Sequence, residues 1–275
     1  MKTVLIVFSN VGNQPNISTE SPSQTRKSCT PSLDILADGG AVCRFPAVAE
    51  GYEATPENIL MSILGYDPHK GLPQLSDLAA YALESSASAA PFNTSYMVIP
   101  AFSNRGAVIS TSLYGAGIGK LAFLDVVDLY TPGHTQEEIA DEISRQAINL
   151  MPQYEFVLIY VDLTSSLSVN AEDESENKDP MEIIDSRIIT PVADYVWRTS
   201  RPMIMAVTAI PSPSPQKQKI VTPMEAIVYY NDSPDTAGLI FPEKRTSERH
   251  ATLDAPWQLI KYLSDFEDYI TTIDK

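Results

Sequence analysis

The sequence predicts an α/β protein: a three-layer α/β/α sandwich around a mostly parallel central sheet, folded as a single domain over residues 1–275. Val4–Phe8, Phe156–Val161 and Met203–Thr208 are short, almost unbroken apolar runs rich in β-branched and aromatic residues. Such runs are strands buried on both faces, as in parallel sheets. Between them lie stretches with apolar residues at helical spacing, Ile139, Ile143 and Ala147, then Ile184, Ile188 and Val192. Hydrophobic residues make up 44% and charged residues 20% of the chain, enough to build a substantial core.

Taken in order, Val4–Phe8 is the first strand, and it runs into Ser9, Asn10 and a Gly12-containing turn. The run is too short for a signal-peptide core. Asn16–Lys27 is polar and serine-rich, an exposed loop. Thr30 caps a short helix with Pro31 at its first position, and Gly39-Gly40 stops it. Ala41–Val48 is extended. Pro56–Leu64 is a helix ended by Gly65-Tyr66-Asp67-Pro68, and Leu75–Leu83 is another. Tyr96–Ile99 and Ala107–Ser110 are short strands, the second followed by Gly115, Gly117 and Gly119. Thr135 and Glu138 form a capping box ahead of the Ile139 stripe. Phe156–Val161 sits mid-sheet and ends at Asp162; Glu172–Asp179 is a charged surface loop. Pro191 interrupts the helix that carries Ile184, Ile188 and Val192. After Met203–Thr208, Ala209-Ile210-Pro211-Ser212-Pro213-Ser214-Pro215 is a loop, and Ala226–Tyr229 is the last strand. Asp254 caps a final helix, with Pro256 at its start, that buries Trp257, Ile260, Leu263 and Phe266.

The formal net charge is −16, from 19 Lys+Arg against 35 Asp+Glu. A field of that sign repels phosphate backbones and anionic lipid, which argues against nucleic acid and membrane partners. No run has the length of a transmembrane helix. Cys29 and Cys43, the only cysteines, are expected as free thiols in a reducing cytoplasm. Assembly into a homo-oligomer is left open.

Chemistry in such sheets collects beyond the carboxyl ends of the strands. There the chain offers mainly hydroxyls and apolar groups, with Asp162 as the one carboxylate at a promising strand end. The glycines at 115, 117 and 119 hint at phosphate binding, but close helix–strand packing explains them better. His69, His134 and His250 lie in polar segments with no metal-ligand partner at local spacing.

Three segments give the chain a family resemblance: Thr30-Pro31-Ser32-Leu33-Asp34-Ile35-Leu36-Ala37, Met61-Ser62-Ile63-Leu64-Gly65-Tyr66-Asp67-Pro68, and Ala107–Ser110 with Gly117-Ile118-Gly119-Lys120-Leu121-Ala122. In this order they resemble the archaeal-type, 2,3-bisphosphoglycerate-independent phosphoglycerate mutases of the alkaline phosphatase superfamily. The resemblance implies an alkaline phosphatase-like core, two divalent metals such as Mn or Zn, a nucleophilic hydroxyl and a substrate-gripping lid domain. The family nucleophile falls on Pro56, or on Thr55 with a shift of one. The aspartate after the first strand falls at Ser9 or Asn10. The Asp and His after the central strand fall near Ser165 and Val169, an Asp-His pair at Ala209-Ile210, and a last histidine near Lys219. Fewer than forty residues, from about 70 to 105, stand where the family inserts its lid.

The expected site is therefore vestigial: Ser9, Asn10, Thr55, Asp162 and Ser165, with no metal ligand, no cofactor and Thr55 nearest the nucleophile position. The expected function is a lid-less relative that has lost metal binding and catalysis and binds a protein or small molecule. The alternatives are an active metal-dependent phosphomutase or phosphatase acting on a small phosphorylated metabolite, and a metal-free hydrolase using Thr55 or Ser165.

Overall fold

Apolar runs from distant parts of the chain lie side by side at the centre of the computed structural model, which describes residues 1–11, 29–66, 105–128, 135–162, 179–211, 223–233, 235–241 and 243–273. Strand β1 (Lys2–Val11) pairs in parallel with β5 (Phe156–Asp162) on one side and β6 (Met203–Pro211) on the other. Beyond β5 lie β3 (Gly106–Ser110) and β4 (Asp125–Asp128), both parallel. Beyond β6 lie β7 (Met224–Tyr230), β2 (Ala41–Phe45) and β8 (His250–Thr252). The order is β4-β3-β5-β1-β6-β7-β2-β8, and β7 is the strand that runs against its neighbours.

Period-two alternation sorts the strand side chains into two cores. Leu5, Val7, Leu158, Tyr160, Ile204 and Ala206 face helices α2 (Pro56–Ile63), α3 (Leu113–Leu121) and α7 (Trp257–Ile273). The short α6 (Thr236–Ile240) adds Ile240 to this side. Val4, Ile6, Phe8, Val157, Ile159, Met205 and Val207 face α1 (Pro31–Gly39), α4 (Gln136–Leu150) and α5 (residues 180–198). Helix α5 is continuous but uneven: α-helical Pro180–Ile184, a π-helical turn Asp185–Ile189, then α-helical Thr190–Arg198. Pro191 has no N–H to give the Arg187 carbonyl, and the wider turn sits where its ring would crowd that carbonyl. The three-layer arrangement, the mid-sheet strand at Phe156, and the Thr135–Glu138 capping box all stand as read from the sequence.

Several local readings do not. Ala209, Ile210 and Pro211 belong to β6, because β1 runs on to Val11 and gives them ladder partners, with a register shift between Ser9 and Val11. Ser9 and Asn10 accordingly lie inside β1 and not beyond it. Thr30 makes no side-chain cap; a carboxylate from α5 takes that role, as described below. Asp254 lies three residues ahead of α7 and pairs with Lys244 instead of capping the helix. Trp257 is 42% exposed, while Leu259 is fully buried, because α7 turns its first residue outward. Tyr229 does not end the sheet: His250 opens a further short strand, β8, whose outer side is met by Arg245 through a bridge to Ala251. Asn16–Lys27, Leu75–Leu83, Tyr96–Ile99, most of Glu172–Asp179, Ser165, Val169, Lys219, His69 and His134 lie outside the described residues. No helix among the described residues is long and apolar enough to cross a membrane.

Candidate functional site

Because β1, β3, β5 and β6 are parallel, their carboxyl ends share one edge of the sheet. Ser9 and Asp162 are direct partners across β1 and β5, and Ser110 partners Tyr160 across β3 and β5. The alternation that sends Val7, Val108 and Tyr160 toward α2 and α3 sends Ser9, Ser110 and Asp162 the same way. The sheet thus brings Ser9 and Asp162 together. Thr55 stands at the same edge, since β2 ends there and the chain then enters α2.

Thr55 has a structural task. Its Oγ1 accepts the Asn58 N–H at 3.2 Å, an N-cap contact, and Pro56 follows at the first helical position. Ser110 Oγ donates to the Ser112 carbonyl at 2.7 Å, shaping the turn into α3. The Asp162 N–H donates to Thr111 Oγ1 at 2.9 Å, and the Thr111 N–H donates to the Tyr160 carbonyl at 3.2 Å. Thr208 turns its hydroxyl to the Glu225 carbonyl at 2.8 Å. Ser9 Oγ differs from these: it is enclosed, and among the described residues it has no hydrogen-bond partner. The Tyr160 hydroxyl is turned toward it without closing a well-aligned bond. Burial holds the Tyr160 phenol well above its ordinary range, the Ser9 contact opposes this, and the charges of Asp162 and Glu57 add to it.

The glycines after β3 lie within helix α3, so they form no loop that cradles phosphate with its backbone. A Cβ on Gly119 would sit 2.3 Å from Val108 Cγ1, and one on Gly115 would sit 2.2 Å from Tyr160 Cδ1. Both let the helix settle close onto the sheet. The packing role read for these glycines from the sequence holds at Gly115 and Gly119, whereas Tyr160 and Thr111 escaped the sequence reading as site residues. Alternation alone signalled Tyr160, which shares a face with Asp162 two residues on.

A pair of divalent cations needs several anionic oxygens and imidazoles around it. The ends of the central strands β1, β5 and β6 supply one carboxylate, Asp162, beside the Ser9 hydroxyl; Asp128 ends the outer strand β4 as the partner of Ser110, and Ala209-Ile210 is apolar strand. No three His, Cys, Asp or Glu side chains come together among the described residues. That donor set does not fit a two-metal centre. A groove of about 470 Å³, lined by Ile148, Pro191, Asp194, Tyr195, Arg198 and Thr199, lies elsewhere, on the α4–α5 layer.

No family model matches the chain. In sequence it is 28% identical over 149 residues to a 2,3-bisphosphoglycerate-independent phosphoglycerate mutase of Methanosarcina mazei, a match covering 54% of this chain and 36% of that protein. The matched stretch thus spans little more than a third of that relative's length. In fold, a protein of Pyrococcus horikoshii superposes with a TM-score of 0.63 at 15% identity, covering 98% of this chain and 97% of that one. A cofactor-independent phosphoglycerate mutase of Thermoplasma acidophilum gives 0.55 at 14% identity, covering 95% and 98%. The C-terminal periplasmic domain of a phosphoethanolamine transferase from Campylobacter jejuni gives 0.52 at 9% identity, covering 98% and 89%. Over about half of its sequence the chain is thus similar to a phosphoglycerate mutase, and its α/β fold is shared with these solved structures.

Proposed function

We propose that this chain is a lid-less phosphoglycerate mutase-like protein that has lost metal binding and catalysis, and that it acts by binding a protein partner or a small molecule. The observation that carries this reading is the Ser9–Asp162 pair at the centre of the carboxyl edge, one hydroxyl and one carboxylate in place of a ligand set. Phosphoryl transfer consists almost wholly of positioning and electrostatic stabilisation of the transferring oxygens. Thr55 already spends its oxygen on a helix cap, and an unassisted threonine hydroxyl is fully protonated at neutral pH. Fewer than forty residues between Pro68 and Ala107 leave no length for a clamp domain, which favours one domain over 1–275. Free thiols at Cys29 and buried Cys43 suit the cytoplasm.

The test is turnover of phosphoglycerate and of a generic aryl phosphate by the purified chain across a range of Mn²⁺ concentrations. We expect none, and we expect no stoichiometric Mn²⁺, Zn²⁺ or Mg²⁺ by elemental analysis. Thr55→Ala should reduce stability by about 1 kcal/mol, the usual worth of such a cap, and change nothing catalytic. Metal-stimulated turnover that disappears in Thr55→Ala would sink the reading and make the chain a metal-dependent phosphomutase or phosphatase.

A further inference from the structure

We infer that Tyr160 is a built-in plug of the carboxyl-end crevice: its ring, seated against Gly115, and its hydroxyl, turned toward Ser9, occupy the space between β1, β5 and α3 where a ligand would meet the strand ends. The inference rests on the non-catalytic reading and extends it, because a filled crevice sends any partner of this chain to the outer surface.

The ring is wedged. Tyr160 is 2% exposed, and its cross-strand partner Ser110, the following Thr111 and Ser9 are exposed by 1% or less. A methyl placed on Gly115 would lie 2.2 Å from Cδ1 and 2.8 Å from Cε1 of the ring. Helix α3 has been thinned to glycine at the point where the tyrosine passes under it. Nor is the strand around Tyr160 free to shift. The Thr111 N–H donates to the Tyr160 carbonyl, and Thr111 Oγ1 accepts the Asp162 N–H, two residues along β5.

The hydroxyl end points the same way. Ser9 Oγ is completely enclosed and lacks a hydrogen-bond partner among the described residues, although a buried hydroxyl without one is costly. A ligand resting on the strand ends would supply that partner. The group turned toward Ser9 is the tyrosine hydroxyl, whose ionisation burial pushes still further above its ordinary range. The groove lined by Ile148 and Tyr195 lies on the opposite layer, so it offers no second way to these groups.

Phenol is the probe, used on the wild type, Tyr160→Phe and Tyr160→Ala. Removing the ring should lower the thermal midpoint by roughly 10 °C, from the cavity it leaves. Millimolar phenol should then restore part of that loss saturably, with NMR shifts at Gly115 and Ser9, as apolar cavities accept small aromatic ligands. Wild type and Tyr160→Phe should show no saturable response to phenol or to inorganic phosphate. If Tyr160→Ala does not fold, a double-mutant cycle decides. Gly115→Ala should destabilise the wild type and lose much of that effect in a Tyr160→Leu background. Saturable phenol or phosphate binding by the wild type at Ser9 and Asp162 would overturn the plug. So would a folded Tyr160→Ala that ignores phenol, or a Gly115→Ala effect untouched by Tyr160→Leu. Turnover with Mn²⁺ is measured separately, and its appearance would remove the non-catalytic reading and not the filled crevice.

Discussion

Asp185 shows how much a single buried carboxylate organises in this chain. It is 1% exposed, and its two oxygens accept the Ser32 N–H at 3.1 Å and the Leu33 N–H at 2.9 Å. Those amides open helix α1 and have no partner within it. The carboxylate therefore caps α1 from outside, and the partial positive charge at the helix start favours the anion. Ser32 and Thr190 join their hydroxyls at 2.6 Å, and Thr190 bonds the Asp185 carbonyl, which locks the π-helical turn that aims the carboxylate. Asp185→Ala should destabilise the chain by about 2 kcal/mol, since two buried donors lose their acceptor. Burial, the leading influence, holds the Asp185 carboxyl above its ordinary value, outweighing those amide bonds. The folded state then binds its proton more tightly than the unfolded state does. The contribution from this group is fully present below the ordinary carboxylate value and is lost as pH rises through the folded value. Wild type minus Asp185→Asn, followed by chemical denaturation from pH 3 upward, should shrink through that window and stay flat above it. A difference that grows with pH would mean the amides win over burial.

At the scale of elements, two helices end in the same motif with different residues at its critical position. Helix α2 closes with the Tyr66 N–H on the Met61 carbonyl at 2.9 Å and the Gly65 N–H on the Ser62 carbonyl at 3.1 Å. Helix α3 closes with the Leu124 N–H on the Gly119 carbonyl and the Phe123 N–H on the Lys120 carbonyl, each at 3.0 Å. Both are Schellman ends, and both need a left-handed residue after the cap. Gly65 adopts φ +91° without penalty; Phe123 is held at φ +59° and leaves its ring 48% exposed. A side chain in that region costs about 1 kcal/mol, and little packing offsets it here. Phe123→Gly should stabilise the chain by about 1 kcal/mol, a rise of roughly 3 °C in thermal midpoint for a protein of this size. An unchanged or lowered midpoint would show that the exposed ring contributes more than its contacts reveal.

At the scale of the molecule, one eight-stranded sheet carries both cores, so each apolar layer depends on the same central ladder. Every residue of β5 and β6 is buried, and β1 is paired along its whole inner length. Native-state hydrogen exchange should be slowest at Val4–Phe8, Val157–Val161 and Ile204–Val207, near the global unfolding free energy. It should be much faster in the edge strands β4 and β8. Early exchange in β5 with protection elsewhere would mean that the sheet opens in parts.

Much of this was legible in the residues themselves. Runs buried on both faces have to be apolar throughout, so β1, β5 and β6 announced themselves, and 3.6-residue spacing did the same for α4 and α5. Caps made within one turn were also visible, because both partners are neighbours in sequence; Thr135 and Glu138 are the example. The tertiary structure alone decided what depends on partners far along the chain. Asp185 replaces Thr30 as the cap of α1 because a carboxylate 152 residues away reaches the same amides. Ala209–Pro211 is strand because β1 continues beside it, and the short strands β4 and β8 exist through their neighbours, since three or four residues carry no pattern of their own. The same holds for the candidate site. The Ser9 hydroxyl and the Asp162 carboxylate could be picked out in the sequence, but their meeting depends on register, and the ring that packs beside them depends on a glycine in helix α3. Local composition sets which groups are buried; only the packed sheet sets which of them touch.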